Sequence, residues 1–91
     1  PLTFAEIDEG SFDCFRLAKE AARRGGTVCA AMNAANEEAV ALYLQDAIGF
    51  YDISELVSRA MELPSVERPK LRDILNADKA ARELVWSRFS R

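Results

Sequence analysis

The sequence predicts an all-α fold, a small helical bundle of three to four main helices with an extended N-terminal arm. Three observations predict it. Apolar residues recur at i, i+3, i+4 and i+7 in several separate stretches, the spacing of one helical face. Glycine, proline or a capping side chain bounds these stretches. Only one short run, Leu2-Thr3-Phe4, is β-prone. Ninety-one residues make one domain with a single modest core, and 49% hydrophobic with 30% charged residues is a globular composition.

Residues 1–10 form the arm, or linker. Leu2, Phe4 and Ile7 are apolar but share no face, so this segment is expected to lie across a neighbouring surface. Residues 11–91 form the helical domain. Its first helix begins at Ser11 and carries Cys14, Leu17, Ala18 and Ala21, widened by Phe12 and Phe15. Glu20 precedes Arg23 and Arg24 at the supportive i, i+3 and i, i+4 spacings, and both arginines suit the negative end of the helix dipole. Gly25-Gly26 stops the helix.

The second helix carries Val40, Tyr43, Leu44 and Ala47, with Gly49 as its stop. Two starts are open: an N-cap at Asn33, or a start near Thr27 with Asn33 and Asn36 inside the helix. Its many alanines allow another element to approach closely. In the third helix, Asp52-Ile53-Ser54-Glu55 reads as a capping box with Asp52 as the N-cap. Ile53, Leu56, Val57 and Ala60 form the apolar stripe, Glu55 and Arg59 an i, i+4 pair, and Pro64 the stop. Leu71, Ile74 and Leu75 suggest a turn or two. Asn76 then caps a last helix with Ala77, Ala80, Ala81, Leu84 and Val85 inward, an Asp78–Arg82 pair, and Trp86 and Phe89 near its end. Connections are short, so antiparallel neighbours are expected.

Composition narrows the function. There is no histidine, which removes Ser-His-Asp and Cys-His triads and histidine-held zinc or haem. A net charge of −3 argues against a general nucleic-acid binder, and the longest uncharged run, residues 25–36, is too short to span a bilayer. Cys14 and Cys29 are expected to be buried thiols. No signal peptide is visible, and a chain that opens on Pro1 rather than Met reads as a piece of a longer one. Glu6, Asp8 and Glu9 lack the spacing of a calcium loop, and Gly25-Gly26-Thr27 lacks the lysine and strand of a phosphate loop. Glu37 and Glu38 point about 100° apart on a helix and cannot form one carboxylate pair; Glu38 is read as surface. An autonomous enzyme is not expected.

One stretch stands out. Asn33, Asn36 and Glu37 form a polar island among alanines, although asparagine is a poor helix-interior residue. Capping by Asn33 and a buried polar contact to a second domain are both open, and they are compatible.

The succession Leu2-Thr3-Phe4, Cys14-x-x-Leu17-Ala18, Gly25-Gly26-Thr27, Met32-Asn33-Ala34-Ala35-Asn36-Glu37-x-Ala39-Val40 and Ile48-x-Phe50-x-Asp52-Ile53 resembles the C-terminal domain of 1-deoxy-D-xylulose 5-phosphate reductoisomerases. Ile74-Leu75-x-x-Asp78-x-x-Ala81-Arg82 resembles the end of those enzymes. The departures are Asp13, where the family has proline, and Met32, where it has leucine. The resemblance implies a supporting domain of an NADPH-dependent enzyme of non-mevalonate isoprenoid biosynthesis, which converts 1-deoxy-D-xylulose 5-phosphate to 2-C-methyl-D-erythritol 4-phosphate. It implies NADPH and Mg or Mn in the parent enzyme, a homodimeric parent, and a cytoplasmic (bacterial) or plastid location. It implies no catalytic, metal or cofactor residue in this chain, and the catalytic domain of the parent as partner. Asn33, Asn36 and Glu37 are then the interdomain candidates. The rival reading is a freestanding helical protein-interaction module, without nucleic acid or membrane as partner.

Overall fold

A computed structural model describes residues 15–89, which are helical with no strand among them. The helices are α1 (15–24), α2 (Val28–Leu44), α3 (Phe50–Ala60) and α4 (Leu71–Phe89). The arm, Cys14 and the expected helix start at Ser11 lie outside the described residues.

α2 is the central helix, packed against both α3 and α4, which touch each other little. Its inner face is mostly alanine. Ala34, Ala35, Ala39 and Leu42 are fully buried, with Val28 and Ala31 nearly so. Methyl-sized side chains let the neighbouring backbones approach. Around them close Leu17 and Ala21 of α1, Ile53, Leu56, Val57 and Ala60 of α3, and Ala81 and Val85 of α4. Every residue of the α3 stripe read from sequence is buried. The α2 stripe read from sequence needs correction, because Leu44 is 75% exposed and Val40 and Tyr43 are only half-buried. The larger side chains mark the flank of α2; the alanines mark its core.

α2 begins at Val28, so Asn33 is no N-cap and both asparagines lie inside the helix. It stops before Gly49: Asp46 takes the left-handed conformation (φ 59°), and the Ala47 amide donates to the Leu42 carbonyl at 2.9 Å. Aspartate tolerates this region better than most side chains. Gly49 instead opens α3. Its amide donates to Asp52 Oδ2 at 2.8 Å while the Asp52 amide donates to the Gly49 carbonyl at 3.1 Å. Asp52 thus supplies the reciprocal carboxylate of the first turn rather than the N-cap, and Glu55 bonds Arg59 at 3.3 Å instead. α4 is likewise one continuous helix from Leu71. Asp73 Oδ2 accepts from the Lys70 amide at 2.9 Å, and Asn76 lies inside the helix rather than at its cap.

The α1–α2 turn is made by Gly25 (φ 71°) and Gly26 (φ 60°), both left-handed. A Cβ at Gly26 would overlap the Val66 carbonyl, so glycine is needed there for space as well as conformation. Thr27 and Val28, at the start of α2, share a cavity of about 310 Å³ with Asp73, Asn76 and Ala77 of α4. Glu38, further along α2, meets Arg82 and Trp86. α2 and α4 therefore run in the same direction, with α3 antiparallel between them in sequence. This departs from the expectation that neighbours are antiparallel. The 61–70 connection brings α4 onto α2.

Candidate functional site

The polar island divides in the folded chain. Asn33 and Asn36 line a small cavity of about 150 Å³ with Ala18, Met32 and Val57, on the flank of α2 that faces α1 and α3. Glu37 faces α4. The three positions stand at i, i+3 and i+4 on one face of α2, but Asn36 and Glu37 lie about 100° apart at its two edges, so the edge with Asn36 lines the cavity and the edge with Glu37 meets α4.

On the α4 side, five residues meet. Asp78, Arg82 and Trp86 succeed each other at i, i+4 and i+8 and rise along one face of α4. Arg82 donates from Nε to Asp78 Oδ1 at 2.7 Å, from Nη1 to Glu38 Oε2 at 2.7 Å and from Nη2 to Glu37 Oε1 at 2.9 Å. The indole Nε1 of Trp86 donates to the other oxygen of Glu38 at 2.6 Å. Glu37 and Glu38 form no carboxylate pair, yet one planar guanidinium reaches both because its donors fan out. Glu38, read from sequence as surface, is half-buried and uses both oxygens.

The electrostatics follow from these bonds. The Trp86 indole and the Arg82 guanidinium hold the Glu38 carboxyl below the usual carboxylate range. The carboxylates of Asp78, Glu37 and Glu38 push the Arg82 guanidinium up, so it stays charged. Such groups cannot exchange protons near neutral pH. The cluster is a tie between helices, and its chemistry is that of a charge-assisted hydrogen-bond network.

A second network closes the opposite end of the bundle. Arg23 and Arg24 both bond Glu20, whose carboxyl is lowered to about 2 by Arg23 first and then Arg24. Arg24 also donates to the Met61 carbonyl at 3.0 Å, joining α1 to the end of α3.

Among the described residues no group of three or more His, Cys, Asp or Glu side chains is placed to hold a metal. The three carboxylates that do converge surround a guanidinium. Cys29, expected as a buried thiol, is exposed, because it stands on the outward face of α2. No described helix is long and apolar enough to cross a membrane.

Residues 1–84 match the family model for the DXP reductoisomerase C-terminal domain. The chain belongs to that family. Among curated proteins it is similar to the 1-deoxy-D-xylulose 5-phosphate reductoisomerase of Caldanaerobacter subterraneus, with 42% identity over 99% of this chain and 24% of that protein. The enzyme of the same name from a Synechococcus strain shares 51% over 89% of this chain and 21% of its own length. That of Acetivibrio thermocellus shares 47% over 92% and 22% respectively. The chain thus spans less than a quarter of the length of these relatives. No solved structure matches it.

Sequence reasoning missed the Glu38–Arg82–Trp86 contact. The signal was present in the i, i+4, i+8 succession of Asp78, Arg82 and Trp86, which places an acid, a base and an indole on one face. It could not name the partner helix.

Proposed function

We propose that this chain is the supporting domain of a full-length reductoisomerase that converts 1-deoxy-D-xylulose 5-phosphate to 2-C-methyl-D-erythritol 4-phosphate with NADPH and a divalent metal. The observation that carries this is the family match over residues 1–84, together with relatives of that name about four times as long. The remaining three quarters of such a protein supply the nicotinamide, metal and substrate sites. These 91 residues turn over nothing alone; NADPH oxidation with the sugar phosphate by a pure sample of this chain would overturn that. The absence of histidine and the commitment of Asp78, Glu37 and Glu38 to Arg82 support it. The parent is read as a homodimer in the cytoplasm or a plastid, with its catalytic domain as the partner of this bundle.

Asn33, Asn36 and Glu37 fix α2 and its approach to the catalytic domain. Glu37 does so through Arg82, and the two amides through the cavity they line beside Val57. The test is Asn36→Ala and Glu37→Ala in the full-length enzyme, compared by turnover and melting temperature. Lower values in either are expected; unchanged values in both would overturn the assignment.

A further inference from the structure

A groove of about 740 Å³ opens between α1 and the end of α3. Its floor is apolar, with Leu17 and Met61 buried beneath it. Phe15 stands at its edge, 63% exposed, with the Lys19 ammonium 5.4 Å from the ring centre. The charges that line it are Arg16, Lys19, Arg23 and Arg24 against Glu20 and Glu62, an excess of two cations. Glu20 bonds Arg23 and Arg24, and Glu62 bonds Arg24, all towards the end of α1. The excess therefore lies with Arg16 and Lys19, near its start. The exposed Leu71 and Leu75 at the start of α4 carry no such signature, because Glu67 and Asp73 stand among the cations there.

Residues 1–14 join α1 at Phe15, on the edge of this groove. They hold four acids, Glu6, Asp8, Glu9 and Asp13, and no cation. In an extended chain alternate residues share a side, which sets Leu2 and Phe4 in line with Glu6 and Asp8. The order is an apolar pair, then an acidic pair. Along α1 the groove offers the complement in reverse: cations near Phe15, then Met61, whose carbonyl accepts from Arg24. A chain that reverses at Gly10 meets it in register. An extended residue advances about 3.3 Å and a helical one about 1.5 Å, so with α1 begun at Ser11 the reversal brings Asp8 level with Phe15, Glu6 with Lys19 and Phe4 with Arg23. Glycine is the residue best able to make that turn. Tethered through so few residues, the arm meets the groove at about millimolar effective concentration, ahead of any separate partner. The family match begins at residue 1, so the arm goes with the helices.

We propose that residues 2–8 of this chain fold back along the groove between α1 and α3, with Glu6 and Asp8 against Arg16 and Lys19, and Leu2 and Phe4 over the apolar floor towards Met61. The arm then completes this bundle rather than lying on another domain, whatever reaction the longer protein performs.

The test uses the full-length protein with the photo-reactive p-benzoylphenylalanine placed separately at Ser58 and Glu62, on the α3 wall of the groove. After irradiation, a cross-link within one polypeptide to residues 1–9 is expected from at least one position. A cross-link only to a peptide upstream of Pro1, a covalent dimer, or no cross-link from either position would overturn the proposal. Glu6→Lys with Asp8→Lys is expected to cut the yield about threefold or more, as charge reversal at a complementary surface does. Adding Arg16→Glu and Lys19→Glu to that variant is expected to restore it. A yield unchanged by the first pair, or not recovered by the second, would overturn the assigned register and the proposal with it.

Discussion

Thr27 and Val66 exchange two hydrogen bonds across 39 positions of sequence: the Thr27 amide donates to the Val66 carbonyl at 3.1 Å, and the Val66 amide donates to Thr27 Oγ1 at 2.9 Å. Thr27 is the one buried polar residue among those described, at 2% exposure. Its hydroxyl, standing at the N-cap of α2, makes no cap bond and is spent on the 61–70 connection instead. The pair holds the loop that delivers α4 against the start of α2.

Thr27→Val keeps shape and burial but removes the acceptor. It is expected to destabilise the fold by about 0.5–1.5 kcal/mol, the loss of the part-buried hydrogen bond from the Val66 amide. Thr27→Ser retains the acceptor and should lose less. Urea denaturation of both variants separates the hydroxyl from the methyl.

The two turn glycines should respond unequally to alanine. A methyl group added at Gly25 would have nothing within 4 Å, so Gly25→Ala meets only the left-handed penalty of about 1–2 kcal/mol. Gly26→Ala meets that penalty and the Val66 carbonyl together, and the Thr27–Val66 bonds must shift with it. Thermal melts are expected to rank wild type above Gly25→Ala and Gly25→Ala above Gly26→Ala.

Packing at the α2 alanines should be intolerant in one direction and Leu42 in the other. Ala35→Leu inserts volume at a fully buried site and is expected to cost about 1–3 kcal/mol or more. Leu42→Ala empties a fully buried site and is expected to cost about 2–5 kcal/mol. Equilibrium unfolding measures both.

The tie between α2 and α4 should weaken in acid. Trp86 and Arg82 lower the folded Glu38 value, so the folded state binds fewer protons there than the unfolded chain. Its contribution is therefore complete above the unfolded carboxylate value of about 4.3 and is lost as pH falls through the folded value. Glu20 behaves alike, with its folded value at about 2. Glu38→Gln is expected to lower the melting temperature at pH 7, and the gap to wild type should shrink as the pH is taken down towards about 3. A gap independent of pH would show that the Glu38 charge contributes nothing.

Helix existence is legible from residue spacing because helical periodicity is a local property. The α3 stripe, the Gly25-Gly26 stop and the Glu20, Glu55 and Asp78 pairings all lie within one or two turns of chain, and all stand in the structure. Caps are less legible. An acid near a helix start serves equally as the N-cap or as the residue that bonds back to it. Spacing alone therefore makes Asp52 the N-cap, three positions after the Gly49 that holds that place, and gives Asn76 a capping role at a helix start that Asp73 serves instead. The choice depends on how the preceding backbone enters the turn.

Residue order alone thus sufficed for the fold class, for the family through its Asn-Ala-Ala-Asn-Glu string and flanking motifs, and for the lack of histidine chemistry. It could not say that Glu37 leaves the two asparagines to join Arg82, that Glu38 and Trp86 meet, or that Leu71 and Leu75 stay uncovered while Val85 is buried. Those outcomes depend on which helix lies beside which, and at what height. The Thr27–Val66 contact and the length of the 61–70 connection set that height, through contacts made 39 residues apart.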